Sequence, residues 1–490
     1  MPPSVSVTAA STPVRADAVV VGVRRTKDGP RLAEGAEQID AALGGRLHDA
    51  LRSVGATGRP DEVHKIPTLG LADFPLVVAT GVGDGAAPDT VHAVAPETAR
   101  RAAGAALRGL TDQRRVHIAL DARAGALAEG ALLGAYAFTA YKSAPAKQNL
   151  RTVTIAGPTS ARAEVKRAVV VAAAVAATRD LVNTPPNDLY PETFATRAKA
   201  IADEQGLAVE VLDEKALRRR GFGGVLGVGQ GSARPPRLVR ISYRPAKAKA
   251  HLALVGKGIT FDTGGINLKT ANLTWMKSDM GGAAAVVNAV AAIAALKLPV
   301  TVTATVPMAE NMPSGTSYRP SDVLTMYGGR TVEVGDTDAE GRLILADAIV
   351  RAAEDSPDYL IEASTLTGAQ LVSLGPRVIG AMGEPDWRDR VVAAGTAAGE
   401  AAWAMPLPEE LRAGLDSPVA DLVNVPGERW GGMLVAGRFL AEFVPEGLPW
   451  VHLDIAGPAY NQGGPRDYTP KGGTGAAVRT IVAAAESLAR

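Results

Sequence analysis

The chain has 490 residues with 52 Lys+Arg against 51 Asp+Glu, so a net charge of +1 gives no global attraction to nucleic acid or an anionic membrane. It contains no Cys, which excludes disulfides, thiolate metal sites, iron–sulfur clusters and thiol catalysis. Hydrophobic residues make up 47% and aromatic residues 4%, so the core must rest on Ala, Val, Leu and Ile, in two or three domains.

The stretch before Ala16 has no basic start followed by an apolar segment. It reads as a disordered lead-in (residues 1–15), not a secretory signal, and the expected location is the cytoplasm. Strand-like runs at Ala18–Val23, Leu76–Ala79 and Val116–Leu120 then alternate with helix-like spacing at Leu32–Val54 and Glu97–Leu110. That alternation predicts an α/β domain over residues 16–160. A linker helix is expected over residues 161–185, stopped by Asn183-Thr184-Pro185-Pro186-Asn187. The longest apolar run, Ala168–Ala177, lies inside it and is far short of the roughly 20 residues of a bilayer span. It is read as a buried helix.

Residues 186–490 repeat the alternation. Strands are expected at Leu252–Val255, Val300–Val306, Thr331–Val334, Tyr359–Ala363 and Trp450–Ile455, with helices at Ala283–Leu296 and Leu343–Ala353. Lys257, Asp262, Asp338, Glu340 and Thr365 fall just past strand ends, where open α/β sheets bind ligands.

Two segments carry the chemistry. Val255–Gly282 holds Lys257, Asp262, Lys269 and Asp279 among closely spaced glycines, which permit tight turns and close backbone approach. Gly335–Val350 holds Asp336, Asp338 and Glu340, which can share one side of an extended segment. Taken singly, such charges are ordinarily solvated, and acidic residues at a helix start ordinarily complement its dipole. Taken together, Asp262, Asp279, Asp338 and Glu340 would repel one another if buried, and two divalent cations would cancel their charge. Oxygen ligands suit Mg or Mn, and Zn also accepts carboxylates.

DTDAEGRL, together with VGKGITFDTGG, SDMGGAA, AENMPSG, STLTGA and HLDIAGP, closely resembles the ordered motifs of the leucyl (cytosol) aminopeptidases. The resemblance covers residues 160–490 with specific motifs and the first 160 in general character. It implies a smaller N-terminal α/β domain joined by a helix to a larger C-terminal α/β catalytic domain with a mostly parallel mixed sheet. It implies a peptidase that releases N-terminal, Leu-like residues from peptides with a free N-terminus, by two-metal-activated water attack. Lys257, Asp262, Asp279, Asp338 and Glu340 would be ligands of two divalent metal ions (Mn or Zn), with Asp262 and Glu340 bridging and Lys257 binding as a neutral amine. Lys269 and Arg342 would be the catalytic pair: Lys269 polarises the carbonyl, and Arg342 holds a bicarbonate that relays the water's proton. Met276, Thr365, Leu366, Gly368 and Ala456 would shape the substrate pocket. A homohexamer is implied as well.

Two departures from the family pattern stand out. Asp336 replaces the usual Asn, and the Thr270–Met276 loop is one residue shorter. Alternative readings are another two-metal hydrolase acting on phosphoryl groups, a DNA-binding or regulatory scaffold, and a metal-free paralogue. The near-neutral charge gives the scaffold no support, and all seven matched site positions are present. Thr80–Gly85 and Gly221–Gly231 read as structural turns, Arg218–Arg220 as a solvated helix end, and His452 as a structural histidine. His48, His64, His92, His117 and His251 are assigned no role.

Overall fold

The computed structural model describes residues 3–9, 14–84, 93–145, 147–428 and 430–490. His92 and Gly85 therefore lie outside the described residues. The chain divides into two compact units, Met1–Ala176 with Gly463–Lys471, and Ala177–Gln462 with Gly472–Arg490. The short return of the C-terminal region to the first unit is absent from the serial division expected from the sequence.

The first unit is built on β1 (Ser4–Thr8), β2 (Ala18–Thr26), β3 (Gly29–Leu32), β4 (Val63–Pro67), β5 (Leu76–Gly83), β6 (Arg115–Ala119) and β7 (Thr152–Ala156). The order is β1-β7-β6-β2-β5-β4, with β3 paired to β2. All neighbours along that path are parallel except β4 with β5. Strand alternation sorts the apolar residues of β2: Val20 joins one core, and Val19, Val21 and Val23 the other. Both faces are thus buried, each Val contributing about 1.5–3 kcal/mol.

Two expectations are corrected here. The lead-in is not wholly disordered, because β1 pairs in parallel with β7 from Ser4↔Thr152 to Thr8↔Ala156. Its Ser-Val alternation suits a half-buried edge strand. The helix-like run Leu32–Val54 is not one helix. It forms α1 (Glu37–Ala42) and α2 (Leu47–Ser53), separated by Gly44 and Gly45 at φ 66° and 71°. Left-handed backbone ends a helix, and the apolar spacing did not register it. The helices α3 (Pro96–Arg108) and α4 (Ala124–Gly134) pack backbone to backbone. A Cβ on Gly130 would lie 2.1 Å from the Arg100 carbonyl oxygen.

The helix α5 (Arg162–Asn183) runs from one unit into the other. It is only partly buried, with Val169 exposed, so the reading of Ala168–Ala177 as a buried helix is half right.

The helices of the second unit are α6 (Pro191–Glu204), α7 (Glu214–Arg220), α8 (Gly223–Gly229), α9 (Gly281–Ala295), α10 (Gly341–Ala353), α11 (Gly368–Leu374), α12 (Pro385–Ala397), α13 (Gly432–Ala441) and α14 (Val478–Leu488). The strands are β8 (Ala208–Leu212), β9 (Arg237–Tyr243), β10 (His251–Gly256), β11 (Gly258–Asp262), β12 (Thr301–Asn311), β13 (Val323–Thr325), β14 (Thr331–Glu333), β15 (Tyr359–Ser364), β16 (Ile379–Gly383), β17 (Ala402–Ala404), β18 (Leu422–Val423) and β19 (Trp450–Asp454), with the short pair β20 (Tyr460–Asn461) and β21 (Gly472–Gly473). The main sheet has the order β17-β16-β19-β15-β10-β12-β9-β8, with β11 on β12. The central run β19-β15-β10-β12 is parallel, and antiparallel pairs flank it. This is the mixed, mostly parallel sheet implied by the sequence resemblance. Register aligns Gly256 with Ala363 and Ser364 with Asp454, so Lys257, Thr365 and Ala456 leave the sheet at one edge.

The expected strand at Thr331–Val334 exists as β14, but it belongs to a small sheet β13-β14-β18. The segment with Asp338 and Glu340 therefore reaches the site from a separate layer. Glycines of the Gly221–Gly231 region serve close packing. A Cβ on Gly223 would meet the Thr325 carbonyl oxygen at 1.9 Å. Arg218 and Arg220 are exposed and pair with Glu214 and Glu210.

Candidate active site

Lys257 follows β10, Asp262 ends β11, Asp279 precedes α9, and Glu340 sits at the N-terminus of α10. The Lys257 Nζ lies 2.8 Å from Asp279 Oδ1, 2.9 Å from Glu340 Oε1 and 2.9 Å from the Thr365 carbonyl oxygen. The Lys269 Nζ lies 2.8 Å from Asp262 Oδ2 and 2.5 Å from Asp338 Oδ1. Carboxylate oxygens of Asp262, Asp338 and Glu340 lie within 4.8 Å of one another.

Backbone geometry makes this convergence possible. Gly341 lets the lysine stem pass, since a Cβ there would lie 2.3 Å from Lys257 Cε. Gly264, at φ 86°, brings the loop against Asp338, where a Cβ would lie 2.9 Å from its Oδ1. Thr337 ties the two motifs together. Its hydroxyl donates to the Gly264 carbonyl at 2.6 Å, and its N–H donates to Asn267 Oδ1 at 3.0 Å.

Burial pushes the carboxyls of Asp262 and Asp279 up, and neighbouring carboxylates add to the effect. Burial and the neighbours Asp262 and Glu340 push Asp338 up to about 7. Glu340 is held below its ordinary range, because Lys257 and Lys269 outweigh its burial. Burial disfavours the charged form of both lysines, but Asp279 and Glu340 at Lys257, and Asp262 and Glu340 at Lys269, override it and raise both. The carboxylates alone thus keep Lys257 an ammonium, so a cation must replace its proton before it can be a ligand. Asp279 Oδ2 is buried with no hydrogen-bond partner. An orphaned carboxylate oxygen, beside three more converging carboxylates, is a donor set that fits divalent metal.

A cavity of about 260 Å³ opens over these groups. Its lining includes Lys257, Asp262, Lys269, Asp279, Asp338 and Glu340, and also Met276, Thr365, Leu366, Gly368 and Ala456. The shortened loop still brings Met276 to the cavity, through a 3₁₀ turn over Leu273–Ser278 that begins at left-handed Asn272. Arg342 is not among the described lining residues. It is buried, which lowers its pKa to about 10, and its Nη1 donates to the Asn424 carbonyl at 2.6 Å.

Asp336 is not among the described residues lining the cavity with Asp338 and Glu340, and the segment is not extended as expected. The segment turns, and Asp336 Oδ1 accepts the Asp338 N–H at 2.8 Å. Its carboxylate caps the turn. His452 is fully buried and pairs through Nδ1 with Glu362, as befits a structural histidine.

Several contributors to the site stand outside the residues expected from the sequence. Asn311 donates to Asp262 Oδ1 at 2.9 Å and to the Thr337 carbonyl at 3.0 Å. Asp454 accepts from the Leu366 and Ala456 N–H groups and from the Thr367 hydroxyl, fixing one wall of the cavity. Trp275, Tyr460 and Gln462 also line it. AENMPSG and HLDIAGP contain Asn311 and Asp454, so the signal lay within motifs used only for their likeness.

Residues 176–482 match the model of the cytosol aminopeptidase family catalytic domain, and residues 20–145 match that of its N-terminal domain. A probable cytosol aminopeptidase of Rhodococcus erythropolis is 52% identical over 97% of this chain and 95% of its own length. One from Streptomyces coelicolor is 53% identical over 98% and 97%. Among solved structures, a mutant tomato leucine aminopeptidase superposes with a TM-score of 0.86 at 32% identity, covering 99% of this chain and 96% of that one. The bottromycin maturation enzyme BotP in complex with Mn gives 0.85 at 38% identity, covering 97% and 100%.

Proposed function

Because the chain belongs to the cytosol aminopeptidase family of metal-dependent aminopeptidases, we propose that its cavity binds two divalent cations and removes Leu-like N-terminal residues. The observation that carries this reading is the convergence of Asp262, Asp279, Asp338 and Glu340 on one cavity, with Asp279 Oδ2 unpartnered. Lys257, Asp262, Asp279, Asp338 and Glu340 would hold the cations, Mn or Zn. When bound, the cations would supply Lewis acidity and a water activated at neutral pH. BotP's complex with Mn supports Mn as the occupant.

Lys269 is the cation best placed to meet substrate. Its side chain is 19% exposed at the cavity, against 3% for Lys257. With the carboxylates neutralised, its ammonium would stabilise the oxyanion that develops on the scissile carbonyl. Arg342 stays protonated and cannot act as a base. A bicarbonate held near its guanidinium would take that role, an assignment that rests on the family resemblance. Met276, Thr365, Leu366, Gly368 and Ala456 would contact the N-terminal side chain, whose apolar neighbours Met276 and Leu366 favour Leu-like groups. The resemblance also supports a homohexamer and a cytoplasmic location. Leu273–Ala295 is long and apolar enough for a membrane span but is mostly buried within its unit.

The test is hydrolysis of leucine p-nitroanilide by chelator-stripped protein, before and after adding Mn²⁺ or Zn²⁺, with the N-acetylated substrate as control. Cleavage restored by metal for the free amine alone is the expected result. No cleavage by a protein that still binds two cations would move the reading to another substrate class.

A further inference from the structure

We propose that Asn424 is a positioning residue that holds the ligand turn and the Arg342 guanidinium in fixed relation to each other. The inference rests on the assignment of Asp338 and Glu340 as metal ligands. Asn424 lies immediately after β18 and is fully buried, and it is not among the described residues lining the cavity. Its side-chain Oδ1 accepts from the N–H groups of Gly335 at 2.7 Å and Asp336 at 3.2 Å. Its Nδ2 donates to the carbonyls of Asp336 at 2.7 Å and Ala339 at 3.3 Å. An asparagine amide has two donors and one acceptor oxygen with two lone pairs, so every position is used.

The main chain of Asn424 serves the same segment. Its N–H donates to the Glu333 carbonyl at 3.1 Å, and its carbonyl accepts from Arg342 Nη1 at 2.6 Å. All these bonds fall between Glu333 and Arg342. β14 and β18 pair in parallel at Val332↔Leu422 and Glu333↔Val423. Where that ladder stops, the Asn424 amide takes over and follows the partner strand into its turn. The approach is close, since a Cβ on Gly335 would lie 2.8 Å from Val425.

The position matters for chemistry because the turn bears Asp338 and leads into Glu340 and Arg342. Asn424 clamps Asp336, and Asp336 Oδ1 in turn holds the Asp338 N–H. The bond to Asn424 is the one hydrogen bond that the Arg342 guanidinium makes to a described residue. A neutral carbonyl orients the guanidinium without cancelling its charge, leaving that charge for an anion. A residue that fills space only would leave metal affinity unchanged when altered conservatively. A positioning residue would not.

The experiment is Mn²⁺ titration of the chelator-stripped full-length protein, in Asn424→Ala, Asn424→Asp and Asp338→Ala, followed by kinetics on leucine p-nitroanilide at saturating Mn²⁺. Asn424→Asp keeps shape and both acceptor bonds but sets a carboxylate oxygen against the carbonyls of Asp336 and Ala339. Both Asn424 variants should weaken Mn²⁺ binding by about 10- to 100-fold. At saturating metal they should lower kcat by a similar factor, with KM within about twofold. If Asn424→Ala does not fold, Asn424→Asp decides alone. Wild-type Mn²⁺ affinity and kcat in folded Asn424→Asp, with binding weakened in Asp338→Ala, would overturn the positioning role only. Unchanged binding in Asp338→Ala would overturn the ligand assignment itself, and the inference with it.

Discussion

Lys257 and Lys269 are the same residue type, each set between two carboxylates at 2.5–2.9 Å. Their surroundings separate them. Lys257 is sealed behind Gly341, with the Thr365 carbonyl as a further fixed acceptor. Lys269 stands at the cavity with more of its side chain exposed, and its partner Asp338 is itself a third exposed. Burial and the number of fixed partners, not residue identity, separate the two side chains, one sealed and one more exposed. The same division explains why residue type and spacing name both lysines without separating them, and why their different roles came only from the family resemblance.

Removing a carboxylate whose charge acts on both lysines should have the largest effect. Asp262→Ala deletes one of the two partners of Lys269 and one of three mutually close carboxylates. Metal content and turnover should be lost together, read by metal analysis and by p-nitroanilide hydrolysis. Retained metal would mean that Asp262 is not a ligand.

The lysines should then part company. Lys269→Ala should keep the metal and lower kcat by about 10²–10³-fold, the usual cost of losing an oxyanion donor. Lys257→Met should weaken metal binding first, with turnover partly recovered at high Mn²⁺. Equal behaviour of the two variants in a titration followed by kinetics would erase the distinction.

A smaller effect should appear in stability. The folded-state pKa values of Asp338, Asp262 and Asp279 are raised above those of the unfolded chain, so without metal their contribution is fully present below the unfolded values. It is lost as pH rises, through about 7 for Asp338. The rise in Tm on adding Mn²⁺ should therefore grow between about pH 5.5 and 8, as scanning calorimetry can measure. A constant increment would contradict the burial of these carboxyls.

The smallest effect should come from Asp336→Asn. An asparagine Oδ1 accepts the Asp338 N–H as a carboxylate does, so kcat/KM should change less than about tenfold. A larger loss would assign Asp336 an electrostatic role.

Legibility in the sequence followed the range of the interactions. The α/β alternation, the strand-end placement of Lys257 and Thr365 and the ordered motifs all depend on neighbours in the chain, and they were readable. The break between α1 and α2 depended on two left-handed glycines that apolar periodicity does not sense. Asn311 and Asn424 act on residues 49 and 88 positions away, so although AENMPSG contains Asn311, the chain around either residue does not name its partner. Asp336 was ambiguous for a different reason, since its partner lies only two residues on and spacing does not show that the chain turns there. Only the turn it caps shows that its carboxylate is spent on a backbone N–H.

The return of Gly463–Lys471 to the first unit has a consequence for dissection. The backbone of Tyr468 lies against Gly104, where a Cβ would come 2.8 Å from its Cα, and Asp467 bonds to both Asp61 and Arg108. A fragment ending near Ala176 would keep the sheet and helices of that unit yet lack a strip of its own surface. Its natural boundary is two cuts in the chain, not one. Any graft that moves this unit to another protein must carry both pieces or redesign the face of α3 left bare.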